Sequence, residues 1–156
     1  MTIAAGPETP VRIRRARPEE AGRITDLALR SKASNGYDDA FMAACVAELT
    51  MSADRIRDGE VWVAESGGAL AGYCEIKLEE ETAEVLGLFV EPAHKNSGMG
   101  RLLWAKLAER AQALDAGRIG VGSDPAAYGF YERMGCVVVG TEPSGSIPGR
   151  ELPRLE

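Results

Sequence analysis

Residues 85–103 read VLGLFVEPAHKNSGMGRLL, an apolar strand that runs through a glycine-punctuated loop directly into a helix. The strand starts near Thr82 and is the most apolar in the chain. Pro92 closes it, and so apolar a segment reads as a central strand covered on both faces. The turn from loop to helix is a place for an anion, because unsatisfied N–H groups of loop and first helical turn converge there and the helix dipole adds positive potential. Gly98 and Gly100 lack a Cβ, which lets a phosphate approach the chain and permits unusual backbone angles. Lys95 and Arg101 bracket this nest, and from residue 95 to 110 Lys95, Arg101, Lys106 and Arg110 face Glu109 alone, a net of +3 in a chain of net charge −6. Two familiar phosphate-binding patterns do not fit, since no Gly-Lys-Ser/Thr follows and Leu103 stands where a dinucleotide fingerprint needs its third glycine.

Upstream of this stretch, Val11–Ala16 alternates apolar and basic residues as a half-exposed strand, and Pro18 begins a helix that carries Ile24, Leu27, Ala28 and Ser31 on one face. A second, alanine-rich helix covers about residues 38–51, and Asp58-Gly59 breaks the chain before the strand Glu60–Glu65. Ser66-Gly67-Gly68 makes a hairpin turn into the strand Ala69–Leu78, and Glu79-Glu80-Glu81 makes the next exposed turn. Downstream, Leu103, Leu107, Ala111 and Leu114 recur at helical spacing until Gly117. A short strand Arg118–Ser123 follows, then Asp124-Pro125 as a helix start, a helix Ala126–Met134 and the stop Gly135. Cys136–Val139 reads as a buried strand, Pro143–Gly149 as a turn-rich loop, and Glu151–Leu155 as a short last strand. Strands in hairpins followed by alternating strand and helix give an α/β domain with a mixed sheet of six or seven strands and about four helices.

The 156 residues suit one domain, with residues 1–10 as a loose lead-in and residues 11–156 as the folded unit. An excess of 24 acidic over 18 basic residues disfavours nucleic acid as the partner. No run of about 18 apolar residues and no basic, apolar leader is readable, so the expectation is a cytoplasmic protein without a membrane partner. Cys45, Cys74 and Cys136 are odd in number and widely spaced, which argues against disulfides and a zinc site; they read as small buried apolar residues, and no metal is expected.

Lys95-Asn96-Ser97-Gly98-Met99-Gly100 after Leu88-Phe89-Val90-Glu91-Pro92 resembles the acyl-CoA loop of the GNAT superfamily of N-acetyltransferases, whose pattern is Arg/Gln-x-x-Gly-x-Gly/Ala after a strand. Lys95 replaces the Arg or Gln, which keeps charge but not fork geometry. A second, independent signature, Asp124-Pro125-Ala126-Ala127-Tyr128-Gly129-Phe130-Tyr131 on to Gly135-Cys136, is similar to the family's Asn-x-x-A-x-x-F-Y-x-x-x-G-F segment, with Asp124 for Asn and Cys136 for Phe. The two lie in the family's order, and the element order matches over roughly residues 11–142.

The resemblance implies a GNAT fold with a mostly antiparallel mixed sheet. It also implies transfer of an acetyl group from acetyl-CoA to a primary amine of a small molecule or peptide, by direct attack. Backbone groups of Asn96, Ser97, Gly98, Met99, Gly100 and Arg101, with Lys95 beside them, are then expected at the CoA diphosphate. Leu88, Phe89 and Val90 lie along the pantetheine arm, and the Leu88 N–H donates to the thioester carbonyl. Gly87 inside the strand suits a bulge that frees such groups. Tyr131 is the expected general acid, ahead of Tyr128, because a phenol of pKa near 10 is matched to a departing alkyl thiolate of about 8.5 or above. Glu84 is the expected general base if no bulge intervenes and it shares a face with Leu88; Glu75 on the preceding strand and water remain alternatives.

His94 reads as a surface residue, and Trp62 and Trp104 as core or interface aromatics. Tyr37, Asp38 and Asp39 either touch the acceptor or form a polar turn, and Ser144–Arg150 forms either a lip over the acceptor or a dimer contact. Arg12, Arg14, Arg15 and Arg17 read as one solvated strand edge. Residues 75–91 hold Glu75, Glu79, Glu80, Glu81, Glu84 and Glu91 against Lys77, which points to a cationic amine on one side of the cleft and the polyanionic cosubstrate on the other. The alternative of another class is a non-catalytic acyl-CoA-binding sensor or interaction module on the same fold. A homodimer is the default assembly.

Overall fold

The computed structural model describes residues 10–156; apart from Pro10, the expected lead-in lies outside them. Among the described residues seven strands and five α-helices run in the order β1 (Val11–Arg15), α1 (Ala21–Ala33), α2 (Asp39–Leu49), α3 (Ala53–Asp58), β2 (Glu60–Ser66), β3 (Ala69–Glu79), β4 (Thr82–Val90), α4 (Met99–Ala113), β5 (Arg118–Gly122), α5 (Tyr128–Arg133), β6 (Val138–Pro143) and β7 (Glu151–Leu155). The strands form one sheet in the order β1-β2-β3-β4-β5-β7-β6, with β4–β5 its one parallel pair among the described residues. The apolar segment quoted first is thus the central strand.

Local chemistry accounts for most element ends. The Asp38 side chain caps α2 by accepting from the Phe41 N–H at 2.8 Å, and Ser52 caps α3 by accepting from Arg55 N–H at 3.1 Å. The short α3 was not expected from periodicity, having only Ile56 buried. On α1 the predicted stripe Ile24, Leu27, Ala28 and Ser31 is buried. On α4 Leu103, Leu107 and Ala111 are buried as predicted.

Two apolar layers sandwich the sheet. On one side α4 and Tyr131 of α5 pack on Cys74, Ile76, Val85, Leu88 and Val90. On the other, α1 and Ile56 of α3 pack on Val61, Val63, Tyr73 and Phe89. Between Glu75 and Ile76 the β3–β4 register slips, Glu75 pairing with Gly87 and Ile76 with Val85. Leu86 is the extra residue, so the expected bulge next to Gly87 is present, and it puts Glu84 and Leu88 on opposite faces of the sheet.

Two expectations are corrected. The segment Cys136–Val139 is not a buried strand: Val137, Val138 and Val139 are 63%, 45% and 54% exposed, because β6 lies at the end of the sheet with β7 as its one neighbour among the described residues. Arg14 is not a solvated residue; its guanidinium grips the buried Glu20 at 2.9 and 2.8 Å and Glu65 at 2.8 Å. Among the described residues no helix is long and apolar enough to cross a membrane.

Candidate active site

β4 and β5 pair only at their starts, Thr82–Glu84 against Arg118–Gly120. Beyond Glu84 the edge of β4 that faces β5 has no strand partner among the described residues, and a cleft of about 650 Å³ opens between Leu86–Val90 and Val121–Asp124. A strand edge left open inside a fold can pair with an extended ligand.

At the far end of β4 the chain makes a short 3₁₀ turn, Pro92–His94, and enters α4 through Gly98, whose φ of 85° is left-handed and suits glycine. None of the backbone N–H groups from Asn96 to Arg101 donates to a protein acceptor among the described residues; the first helical bond is Leu102 N–H to Gly98 C=O at 3.1 Å. This leaves a nest of free donors at the positive end of a 15-residue helix. Gly100 lies against Phe130, where a Cβ would come 3.1 Å from the ring. Asn96, Gly98, Gly100 and Arg101 line the cleft, whereas the Met99 side chain is buried in the core and Ser97 turns back to donate to the His94 carbonyl. Lys95 also lines the cleft, but its ammonium caps the end of α1, donating to Ser31 C=O at 3.2 Å, to Asn35 Oδ1 at 3.4 Å and to Ser34 Oγ. His94 is a lining residue as well.

Tyr131 reaches the cleft from the α4 side. It is 5% exposed and packs edge-on against Trp104 and Phe130, with centroids 5.9 and 5.3 Å away. Its hydroxyl has no hydrogen-bond partner among the described residues, and burial pushes its pKa above the ordinary phenol value. The cleft therefore holds a phenol that keeps its proton. Tyr128 does not line it. Tyr73 approaches from the opposite side of the sheet, its hydroxyl 3.2 Å from where a Cβ on Gly87 would lie. Gly87 makes room for that ring.

The expected carboxylates are elsewhere. Glu84, turned by the bulge to the face opposite Leu88, accepts from Arg154 at 2.6 and 2.5 Å and does not line the cleft. Arg154 reaches it by crossing β5 at Gly120, where a Cβ would collide with the guanidinium. Glu75 is 3% exposed, held by both arms of Arg55, and is also absent from the lining. Glu91 pairs with Arg30 at 2.8 Å, and Glu79, Glu80 and Glu81 are exposed at the β3–β4 turn. The acidic segment is thus neutralised or remote, and it does not line one wall as its charge had suggested.

The second half of the cleft is built from α1–α3 and the β6–β7 loop, which periodicity in any one segment could not assemble. Tyr37 and Phe41 stack at 4.0 Å, Arg150 lies 4.8 Å from the Phe41 centroid, and the Tyr37 hydroxyl donates to Asp124 at 2.8 Å. Asp124 caps the turn after β5 through Ala126 N–H at 2.8 Å and pairs with Lys32 at 3.2 Å. Burial would raise its pKa, but the Ala126 N–H, the Tyr37 hydroxyl and Lys32 outweigh burial and lower it. Arg55, Glu48 and Tyr73, which carried no signal in the sequence, complete this half.

The chain matches the acetyltransferase (GNAT) domain family over residues 26–145. It is 36% identical over 83 residues to the mycothiol acetyltransferase of Cellulomonas flavigena, covering 50% of this chain and 24% of that protein. To a Bacillus subtilis protein named as an alanine N-acetyltransferase of ribosomal protein bS18 it is 29% identical over 76 residues, 47% of this chain and 50% of that one. The matches thus span a quarter to half the length of these curated relatives. Among solved structures, the PaiA N-acetyltransferase of Thermoplasma acidophilum in complex with coenzyme A superposes with a TM-score of 0.74 at 16% identity, over 94% of this chain and 98% of that one.

Proposed function

From a chain that belongs to the GNAT acetyltransferase family, we propose acetyl transfer from acetyl-CoA to a primary amine of a small molecule or peptide, by direct attack. The observation that carries it is the splay between β4 and β5, in which an open strand edge, a nest of free N–H groups and the partnerless Tyr131 hydroxyl share one cleft.

These residues fit the cosubstrate. Acetyl-CoA supplies a thioester whose carbonyl carbon accepts the amine nitrogen and whose sulfur departs. The N–H groups from Asn96 to Arg101 take the diphosphate, and the open edge at Leu88–Val90 aligns the extended arm. The Leu88 N–H donates to the thioester oxygen as negative charge builds there. Tyr131 gives its proton to the departing sulfur and recovers one from solvent. Glu84 and Glu75, tied to Arg154 and Arg55 outside the cleft, are poorly placed to take the amine's proton, which favours water as the acceptor. Amine and cosubstrate approach from opposite faces of the sheet, meeting at the β4 edge.

The test is release of CoA thiol with acetyl-CoA and a panel of amino acids, peptides, polyamines and aminoglycosides, with the product identified by mass. An acetylated amine is the expected result. Binding of acetyl-CoA without product from any amine would instead favour a sensor of acyl-CoA.

A further inference from the structure

The cleft is cationic, not acidic, and the charge on its acceptor half is unevenly cancelled. Lys32 is paired with Asp124 and Arg55 with Glu75. Arg150 lines the same half, half-buried, and has no carboxylate partner among the described residues. Among the described residues its one side-chain hydrogen bond is an Nη2–H donated to the Tyr37 hydroxyl at 3.1 Å. Of the carboxylates lining the cleft, Asp124 is engaged by Tyr37, Lys32 and Ala126, and Glu48 accepts from the Ser146 hydroxyl; among the described residues neither lies within ion-pair distance of Arg150.

Arg150 is also held in place. Its guanidinium lies over the stacked Tyr37 and Phe41 rings, 5.5 and 4.8 Å from their centroids, which supports it without consuming its remaining donors. The loop that presents it is tied to itself: Ser144 N–H donates to Arg150 C=O at 2.7 Å, Arg150 N–H to Ile147 C=O at 3.2 Å, and Ser144 Oγ accepts from Ser146 and Ile147 N–H at 3.2 and 3.1 Å. Gly149, at φ 80°, makes the left-handed turn immediately before it. A pre-positioned, uncancelled guanidinium beside a reaction cleft is suited to a planar anion that it can grip with parallel N–H bonds.

We infer that Arg150 binds a carboxylate on the acceptor, so that the preferred acceptor is a small amine of the amino-acid type, carrying its own carboxylate. This rests on the acetyl-transfer proposal and narrows its substrate class. The amine nitrogen is presented to the β4 edge while the carboxylate is anchored on the β6–β7 loop.

The test uses pairs of acceptors that differ only in carboxylate against carboxamide, assayed by thiol release at saturating acetyl-CoA. The wild-type protein should favour the carboxylate member by about 10- to 100-fold in kcat/KM, mainly through KM, as expected for a charge-assisted pair. Arg150→Gln should lose most of that preference and Arg150→Lys should keep part of it. Comparing the ratio between variants cancels the different basicity of the two amines. The melting-temperature rise produced by acetyl-CoA should be the same in all three proteins, which shows that each variant is folded and binds the cosubstrate. If acetyl-CoA binds but carboxamides or polyamines serve as well as carboxylate acceptors, if no carboxylate acceptor is turned over, or if Arg150→Gln keeps the full preference, the inference is overturned and binding of the cosubstrate stands. Failure of acetyl-CoA to bind at all would remove the acetyl-transfer proposal itself.

Discussion

Replacing Tyr131 by Phe removes one oxygen and little else. The ring is 5% exposed and keeps its contacts to Trp104 and Phe130 in the variant. The lost hydroxyl has no protein hydrogen bond among the described residues, so no partner is orphaned and stability changes by no more than about 1 kcal/mol. Turnover is another matter. A positioned acid contributes roughly 10²- to 10⁴-fold, and kcat should fall by that amount, equivalent to about 3–5 kcal/mol. The KM for acetyl-CoA and the melting temperature should stay close to wild type. Steady-state thiol release, with a thermal melt on the same preparation, measures all three quantities. Burial raises the Tyr131 pKa above 10, so the wild-type rate should show no alkaline fall below pH 10 from loss of this proton. Tyr128→Phe serves as the comparison, since that hydroxyl is outside the cleft. If Tyr131→Phe turns over within a few-fold of wild type, or if its whole loss lies in acetyl-CoA affinity, the assigned role is refuted.

Three other outcomes are expected. Gly98→Val places a branched side chain at φ 85°, costs about 1–2 kcal/mol of backbone strain and should weaken acetyl-CoA binding in a calorimetric titration; unchanged affinity would mean the nest does not hold the diphosphate. Glu84→Gln breaks the bonds from Arg154 and should lower the melting temperature far more than it lowers kcat, whereas a kcat loss of about 100-fold or more would restore Glu84 as the base. Arg14 holds the Glu20 carboxyl down to about 2; because the folded value lies below the unfolded one, the stabilisation is present above pH 4.5 and lost as pH falls toward 2. That contribution is about 3 kcal/mol, and urea unfolding across this window should show it in the wild type and not in Glu20→Gln.

The parts of the fold that were legible in the sequence are those set by neighbours along the chain. Ser66-Gly67-Gly68 and Glu79-Glu80-Glu81 turn hairpins wherever they stand, and the strand, Gly98 loop and α4 follow one another directly. Part of the cleft lining was legible to the same extent: Leu88–Val90, Asn96, Gly98, Gly100, Arg101 and Tyr131 all line it and lie within short segments whose chemistry is local. Register and strand order are not local. A one-residue slip at Leu86 moved Glu84 to the other face, and the position of β6 beyond β7 exposed three valines that read as core. The acidic segment looked like a charged wall because the arginines that cancel it, Arg30, Arg55 and Arg154, come from other elements. Likewise Tyr37 meets Asp124 across 87 positions and Arg150 across 113, so the acceptor half existed only as separate polar turns until the chain folded.

An acetyl-CoA site formed by the splayed β4 edge and the nest at the start of α4 would couple cosubstrate binding to the stability of the fold. The melting temperature of the protein against acetyl-CoA concentration tests it most directly, with no acceptor required. At 100 times Kd, ligand linkage predicts about 2.7 kcal/mol of added stability, a rise of roughly 5–10 °C for a domain of this size. A melting temperature that does not move at millimolar acetyl-CoA would mean that the β4 edge and the nest do not bind it.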